Sequence, residues 1–169
     1  TTRGIMGQAR EMAAQIDPAF DRAGLEWLRS EWKGQLIVKG VMHPEDARLA
    51  LDAGADGLIV SNHGGRQMDP APATIEVLPW IAEVVNGRAD IVLDSGIRRG
   101  GDVVTALALG ATAVSIGRPW AWALAAGGER GVDTALEALF QEVRDVLGLA
   151  GLSDIASLRG AGTDILWSM

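Results

Sequence analysis

His63 and Arg66 stand three residues apart across a Gly64-Gly65 pair. Two glycines let the backbone bend tightly, which leaves an imidazole and a guanidinium free to converge on one small ligand. Imidazole exchanges a proton near neutral pH and so can serve as a general base. A guanidinium grips a carboxylate through two parallel hydrogen bonds, fixing the adjacent carbon relative to that base. The pair suits proton abstraction from a small carboxylic acid, with His63 as catalytic and substrate-binding residue and Arg66 as carboxylate clamp. Taken singly, a turn-capping histidine and a solvated arginine are the bland alternatives. His43, beside Pro44 at a helix entrance, has no such company and is read as structural.

A second set of residues suits an anion. Asp94, Ser95, Gly96, Ile97 and Arg98 follow one apolar run, and Gly117 and Arg118 follow another. Glycine lets backbone N–H groups approach a phosphate, arginine adds charge, and the helix starts that follow add positive dipole ends. Lys39 closes a third apolar run, so its ammonium is expected to face the same space; a snorkelling lysine is the alternative. Arg99 is expected to face solvent.

The elements that must position these groups alternate in type. Apolar, β-branched runs at 35–39, 57–61, 90–94 and 113–117 read as parallel strands buried on both faces, with helices over 44–53, 74–85 and 101–109 as crossovers. A helix over 23–32 precedes them, with Leu25, Leu28 and Trp32 on one face. Helices over 120–126 and 132–147 follow, and Ser153 is expected to cap a short final turn. Residues 8–16 have helical composition.

This is the α/β grammar of a (β/α)8 TIM barrel, parallel strands with helical crossovers, whose working groups sit at the C-terminal strand tips. Only half the strands are present, and the chain has 169 residues, against about 200 or more for a whole barrel. An open half would expose two apolar edges. The expectation is therefore the C-terminal half of a barrel, completed by an N-terminal half outside this sequence. Within it, 1–20 reads as a lead-in, 21–160 as the half-barrel and 161–169 as a tail. A start without methionine points to a processed, proteolysed or partial product, or to a removed tag or initiator.

Four phrases in register carry a resemblance. SNHGGRQ at 61–67, VKG at 38–40, DSGIRRG at 94–100 and IGRP at 116–119 resemble the FMN-dependent α-hydroxy-acid oxidase and dehydrogenase family, which includes glycolate oxidase, flavin L-lactate dehydrogenase and (S)-mandelate dehydrogenase. The match runs from Leu25 to Leu158 in one order. It implies FMN as cofactor and oxidation of an L-2-hydroxy acid, of lactate or mandelate type, to the 2-oxo acid. His63 would remove the hydroxyl proton while the α-hydrogen passes to flavin, and Arg66 would hold the carboxylate. Lys39 would face the flavin N1/O2 edge, Ser61 would hydrogen-bond the cofactor and Asp94 would bind the ribityl chain. Arg98 and Arg118 would hold the 5′-phosphate, with Ser95, Gly96, Ile97 and Gly117 in the same cofactor-binding set.

The resemblance also implies a homotetramer or larger. It assigns the substrate-contacting tyrosines, and an aspartate that orients the histidine, to the other barrel half. This chain has no tyrosine, so activity is not expected from it alone. Trp120 and Trp122 are expected to pack a helix or meet a subunit, and Met68 stands where the family commonly has leucine, a volume-conserving change.

Composition narrows the remaining choices. A formal charge of −7 with scattered basic residues argues against a nucleic-acid partner. No cysteine is present, which excludes disulfide frameworks and thiolate metal sites, and no metal is expected. No apolar run reaches the roughly 18 residues of a membrane span; cytoplasm is the default, with peripheral placement on an inner membrane left open. The electron acceptor, whether oxygen, quinone or cytochrome, is not determined. Two other classes stay open: a different phosphate-binding TIM-barrel enzyme, which would not need His and Arg so close after one strand, and a non-catalytic half-barrel module.

Overall fold

The computed structural model describes residues 17, 19–68 and 70–166. The helix expected over 8–16 lies outside them.

Helix α1 (Arg22–Glu31) opens where the Asp21 carboxylate accepts the Gly24 N–H at 3.0 Å, a side-chain cap for an otherwise orphan donor. Arg29 ties this helix to the sheet. Its Nη1 lies 3.0 Å from Asp56 Oδ2, and the same oxygen accepts the Leu36 N–H at 2.7 Å just ahead of the first strand.

Strands β1 (Ile37–Val41), β2 (Gly57–Val60), β3 (Asp90–Asp94) and β4 (Ala113–Ser115) form one sheet in the order β1-β2-β3-β4, with every pair parallel. Helices α2 (Pro44–Asp52), α3 (Thr74–Val85) and α4 (Gly100–Ala108) make the three crossovers. Among the described residues the expected strand and helix order holds. His43 is structural, as expected: it precedes α2, and its Nδ1 accepts the Glu45 N–H at 3.2 Å.

Register sorts the strand residues into two faces, because side chains alternate along a strand. Leu58, Val60, Ile91 and Leu93 are buried and belong to the same core as Ala47, Val77, Leu78, Ile81 and Val104 of the helices. The opposite face carries Lys39 level with Ile59, Val92 and Ala113, and one layer higher Asp94 level with Ser115. The helix-covered face is buried as expected, whereas the opposite face is open in this half-barrel, with Ile37 52% exposed; β1 and β4 form its two edges. The run at 35–39 is shifted. Lys39 does not close β1; the register slips between Lys39 and Val41, where Gly40 takes a φ of 96°, a bulge geometry that suits glycine.

Helix α5 (Arg118–Leu149) contains a non-helical residue, Gly128, at φ 61°, ψ −146°. A Cβ on Gly131 would lie 2.2 Å from the Ala123 carbonyl oxygen, so the arms on either side of the break touch across it. The two helices expected over 120–126 and 132–147 are these arms. Helix α6 (Ile155–Ala161) is capped by Asp154, whose Oδ1 accepts the Ser157 N–H at 2.7 Å. Ser153, the expected cap, instead donates to Asp154 Oδ2 at 3.1 Å. A carboxylate is the stronger acceptor at a helix start.

Candidate active site

The strand tips converge on the open face of the sheet, and the turn after β2 is the most constrained of them. His63, Gly64 and Gly65 all adopt left-handed φ angles, of 57°, 68° and 73°. Glycine does so freely, whereas a residue with a Cβ pays roughly 1–2 kcal/mol, so His63 must be held there by its surroundings. The holding groups come from three strand tips. Ser61 Oγ accepts the His63 N–H at 3.1 Å. The Gly64 N–H is shared between Asn62 Oδ1 at 3.0 Å and Ser95 Oγ at 3.1 Å, and Arg118 Nη2 donates to the Gly64 carbonyl at 3.2 Å.

The two chemistry-bearing side chains project from this turn. The His63 ring is exposed, with Nδ1 at 3.4 Å from Gln67 Nε2. Arg66 donates through Nε to the His63 carbonyl at 3.1 Å, leaving its two terminal nitrogens for another acceptor. One hydrogen bond thus aims the guanidinium beside the base.

Below the turn lies a charged cluster. Asp94 Oδ2 accepts from Lys39 Nζ at 3.0 Å, from Ser61 Oγ at 2.5 Å and from Ser95 Oγ at 3.4 Å. Burial alone would raise the Asp94 carboxyl, but hydrogen bonds from Ser61 and Lys39, the Lys39 charge and the Ser115 hydroxyl outweigh it and hold the group below the ordinary carboxylate range.

A cleft of about 250 Å³ joins the turn to this cluster. Lys39, His63, Arg66 and Asp94 line one part of it; Ser95, Gly96, Ile97 and Arg98 line another; Gly117 and Arg118 complete it. Every residue expected to act is therefore in its wall except Ser61, which is buried behind it and bonded to Asp94. Four cations and one carboxylate face the space on a chain whose formal charge is −7. A second, more apolar cavity of about 430 Å³ adjoins it between α3 and α4, sharing Gly64, Ser95, Gly96, Ile97 and Arg118 as walls.

Trp122, expected to pack a helix or meet a subunit, is 61% exposed and lines the cleft, which leaves it free for the second of those roles. One expectation needs correction here: the start of α4 does not offer free amides to an anion. The Arg98 and Arg99 N–H groups donate to Asp102 Oδ2 at 2.8 and 2.9 Å, and the Gly100 N–H donates to Glu142 Oε2 at 2.7 Å. Arg99 faces solvent, as expected, at 80% exposure. Sequence reasoning passed over Asn62, Ser115, Gln67 and Glu142. Asn62 and Gln67 lay within the quoted phrase, flanking His63, but nothing in the sequence ties Glu142 to a residue 42 positions away.

With this geometry in view, comparison with known proteins is specific. A family model described as FMN-dependent dehydrogenase matches residues 1–165. A 2-hydroxyacid oxidase of Dictyostelium discoideum is 50% identical over 161 residues, covering 95% of this chain and 41% of the relative. An L-lactate dehydrogenase of Caulobacter vibrioides is 49% identical over 147 residues, covering 87% of this chain and 38% of the relative. A crystal structure of mandelate oxidase with (S)-4-hydroxymandelic acid superposes with a TM-score of 0.85 at 47% identity, covering 94% of this chain and 44% of that one. This chain thus spans about two fifths of the length of the curated relatives it matches, and its fold is the C-terminal half of a TIM barrel.

Proposed function

The chain belongs to the FMN-dependent dehydrogenase family, and from that premise we propose that it forms, within a complete barrel, the catalytic half of an enzyme oxidising an L-2-hydroxy acid of lactate or mandelate type to the 2-oxo acid. The observation that carries the reading is the His63–Arg66 turn, which presents a base and a guanidinium to one cationic cleft.

FMN is the family's cofactor, and the residues present suit it. Arg98 and Arg118 flank the cleft at the tips of β3 and β4, a donor set for a phosphate dianion. A Cβ added at Gly96 or Gly117 would meet no protein atom within 4 Å, so both backbones border open space that a phosphate can approach. Because the start of α4 is closed by carboxylates, the phosphate falls to the side chains of Arg98 and Arg118 and to the Gly117 end of α5. Lys39 gives one of its three donors to Asp94 and keeps the others for the flavin edge.

Bound FMN supplies the acceptor for the substrate's α-hydrogen and its electron pair. The rest is done by protein groups. His63 takes the proton of the substrate hydroxyl through Nε2, which requires the hydrogen of the neutral imidazole on Nδ1; the side-chain amide of Gln67, beside Nδ1, accepts that hydrogen when its oxygen is turned to the ring. Arg66, its Nε already committed to the His63 carbonyl, offers Nη1 and Nη2 to the substrate carboxylate as a fork. Turn rigidity sets the distance between the two events, and orientation of this kind contributes heavily to rate.

The test is a chimera in which this chain replaces the matched C-terminal portion of the Dictyostelium oxidase. It is expected to purify yellow and to bleach anaerobically with L-lactate or (S)-mandelate. A colourless protein, or a yellow one that no 2-hydroxy acid reduces, overturns the reading.

A further inference from the structure

Glu142 lies on α5, outside the cleft, yet it closes the start of the helix that carries Arg98. Its Oε2 accepts the Gly100 N–H at 2.7 Å, and its Oε1 lies 3.7 Å from Arg99 Nη1. Asp102 takes the two preceding N–H groups, those of Arg98 and Arg99. Three consecutive backbone donors are thus fixed by two carboxylates, one local and one delivered by a distant helix. The approach is close: a Cβ on Gly100 would fall 2.4 Å from both the Glu142 carbonyl carbon and the Val143 nitrogen.

This arrangement is unusual for the floor of an anion site. Helix starts attract phosphate because their N–H groups are free and their dipole is positive. Here the N–H groups are taken, and the carboxylates add negative charge where a phosphate would otherwise dock. What remains for an anion is the Arg98 side chain, which lines the cleft, and its direction is set by a backbone held at residues 98, 99 and 100.

We propose that Glu142 is a positioning residue for the cofactor phosphate, capping α4 so that its amides are closed to the anion and Arg98 is aimed into the cleft. The proposal rests on the FMN reading. It makes opposite demands on two variants. Loss of the cap frees the backbone around Arg98 and weakens phosphate binding, whereas loss of charge alone removes a repulsion and does not. Riboflavin has no phosphate and is indifferent to both.

The experiment measures FMN and riboflavin affinity by flavin fluorescence quenching in the complete chimeric barrel. Wild type is expected to bind FMN more tightly than riboflavin. Glu142→Ala is expected to weaken FMN by roughly fivefold to tenfold, the scale of losing one helix cap, with riboflavin unchanged. Glu142→Gln, whose amide oxygen still accepts the Gly100 N–H, is expected to bind FMN as well as wild type or better. If the alanine variant does not fold, Glu142→Asp takes its place, its oxygen withdrawn by one methylene, with the same selective loss. FMN affinity unchanged or raised in the capless variant overturns the proposal, as does an equal loss of FMN and riboflavin. A wild type without preference for FMN removes the cofactor reading and this inference with it, whereas a normal preference that survives loss of the cap removes only this one.

Discussion

Lys39 Nζ and Asp94 Oδ2 are 3.0 Å apart although they belong to β1 and β3, which are not neighbours in the sheet. The pair bridges the tip of β2, and Ser61, one residue past that strand, donates to the same oxygen. Three strands are thereby cross-linked through one carboxylate, beneath the turn that carries His63.

Asp94→Asn tests this bridge. The carboxylate is only 14% exposed while Lys39 is 51% exposed, so the loss is expected to be about 1–2 kcal/mol, the range of a charged hydrogen bond with one solvated partner. Because the folded carboxyl titrates below its ordinary value, its contribution is complete above the ordinary carboxylate range and disappears as pH falls through the lower, folded pKa. Denaturant unfolding of the chimeric barrel across pH should show a constant gap between wild type and variant that closes in acid. A gap that widens in acid contradicts the assignment.

His63→Asn is the cleaner test of the base, since asparagine tolerates the left-handed backbone that His63 occupies at φ 57°. Turnover should fall by about 10²–10⁴-fold, the usual contribution of a general base, with FMN affinity within twofold of wild type. Stopped-flow flavin reduction under anaerobic conditions measures it, and a normal reduction rate removes His63 from the mechanism.

Arg66→Lys keeps the charge and loses the fork. A lysine ammonium is a point charge without the planar pair of donors that matches a carboxylate while a third donor anchors to the His63 carbonyl. KM for the 2-hydroxy acid should rise by about tenfold to hundredfold, with a smaller fall in kcat, in steady-state assays. Equal KM values for arginine and lysine would show that the substrate carboxylate is held elsewhere.

Two adjacent glycines should behave oppositely. Gly100→Ala drives a Cβ into the α5 backbone at 2.4 Å and should cost about 2–4 kcal/mol, as overpacking against rigid backbone does. Gly101→Ala meets nothing within 4 Å and should be neutral or stabilising by up to about 1 kcal/mol, since alanine is the better helix former. Chemical denaturation of both variants reads the difference directly.

The sequence by itself determined the order of elements and the cast of the site. Strand and helix periodicity, together with glycines where a turn needs left-handed backbone, located β2, β3, α3 and the His63–Arg66 turn, because those signals are local. Placing Asp94, Arg98 and Arg118 at strand tips needed only the parallel reading, in which all tips point one way; Lys39 lies within β1, two residues before its end. What the fold alone decided is which partner each group meets. Lys39 and Asp94 are 55 residues apart, Gly100 and Glu142 are 42 apart, and Arg118 reaches Gly64 across 54. No local signal encodes such pairs, since they arise from sheet order and from the angle at which α5 crosses α4. For the same reason the sequence suggested a free helix end at Arg98, and only the tertiary packing revealed the carboxylates that close it.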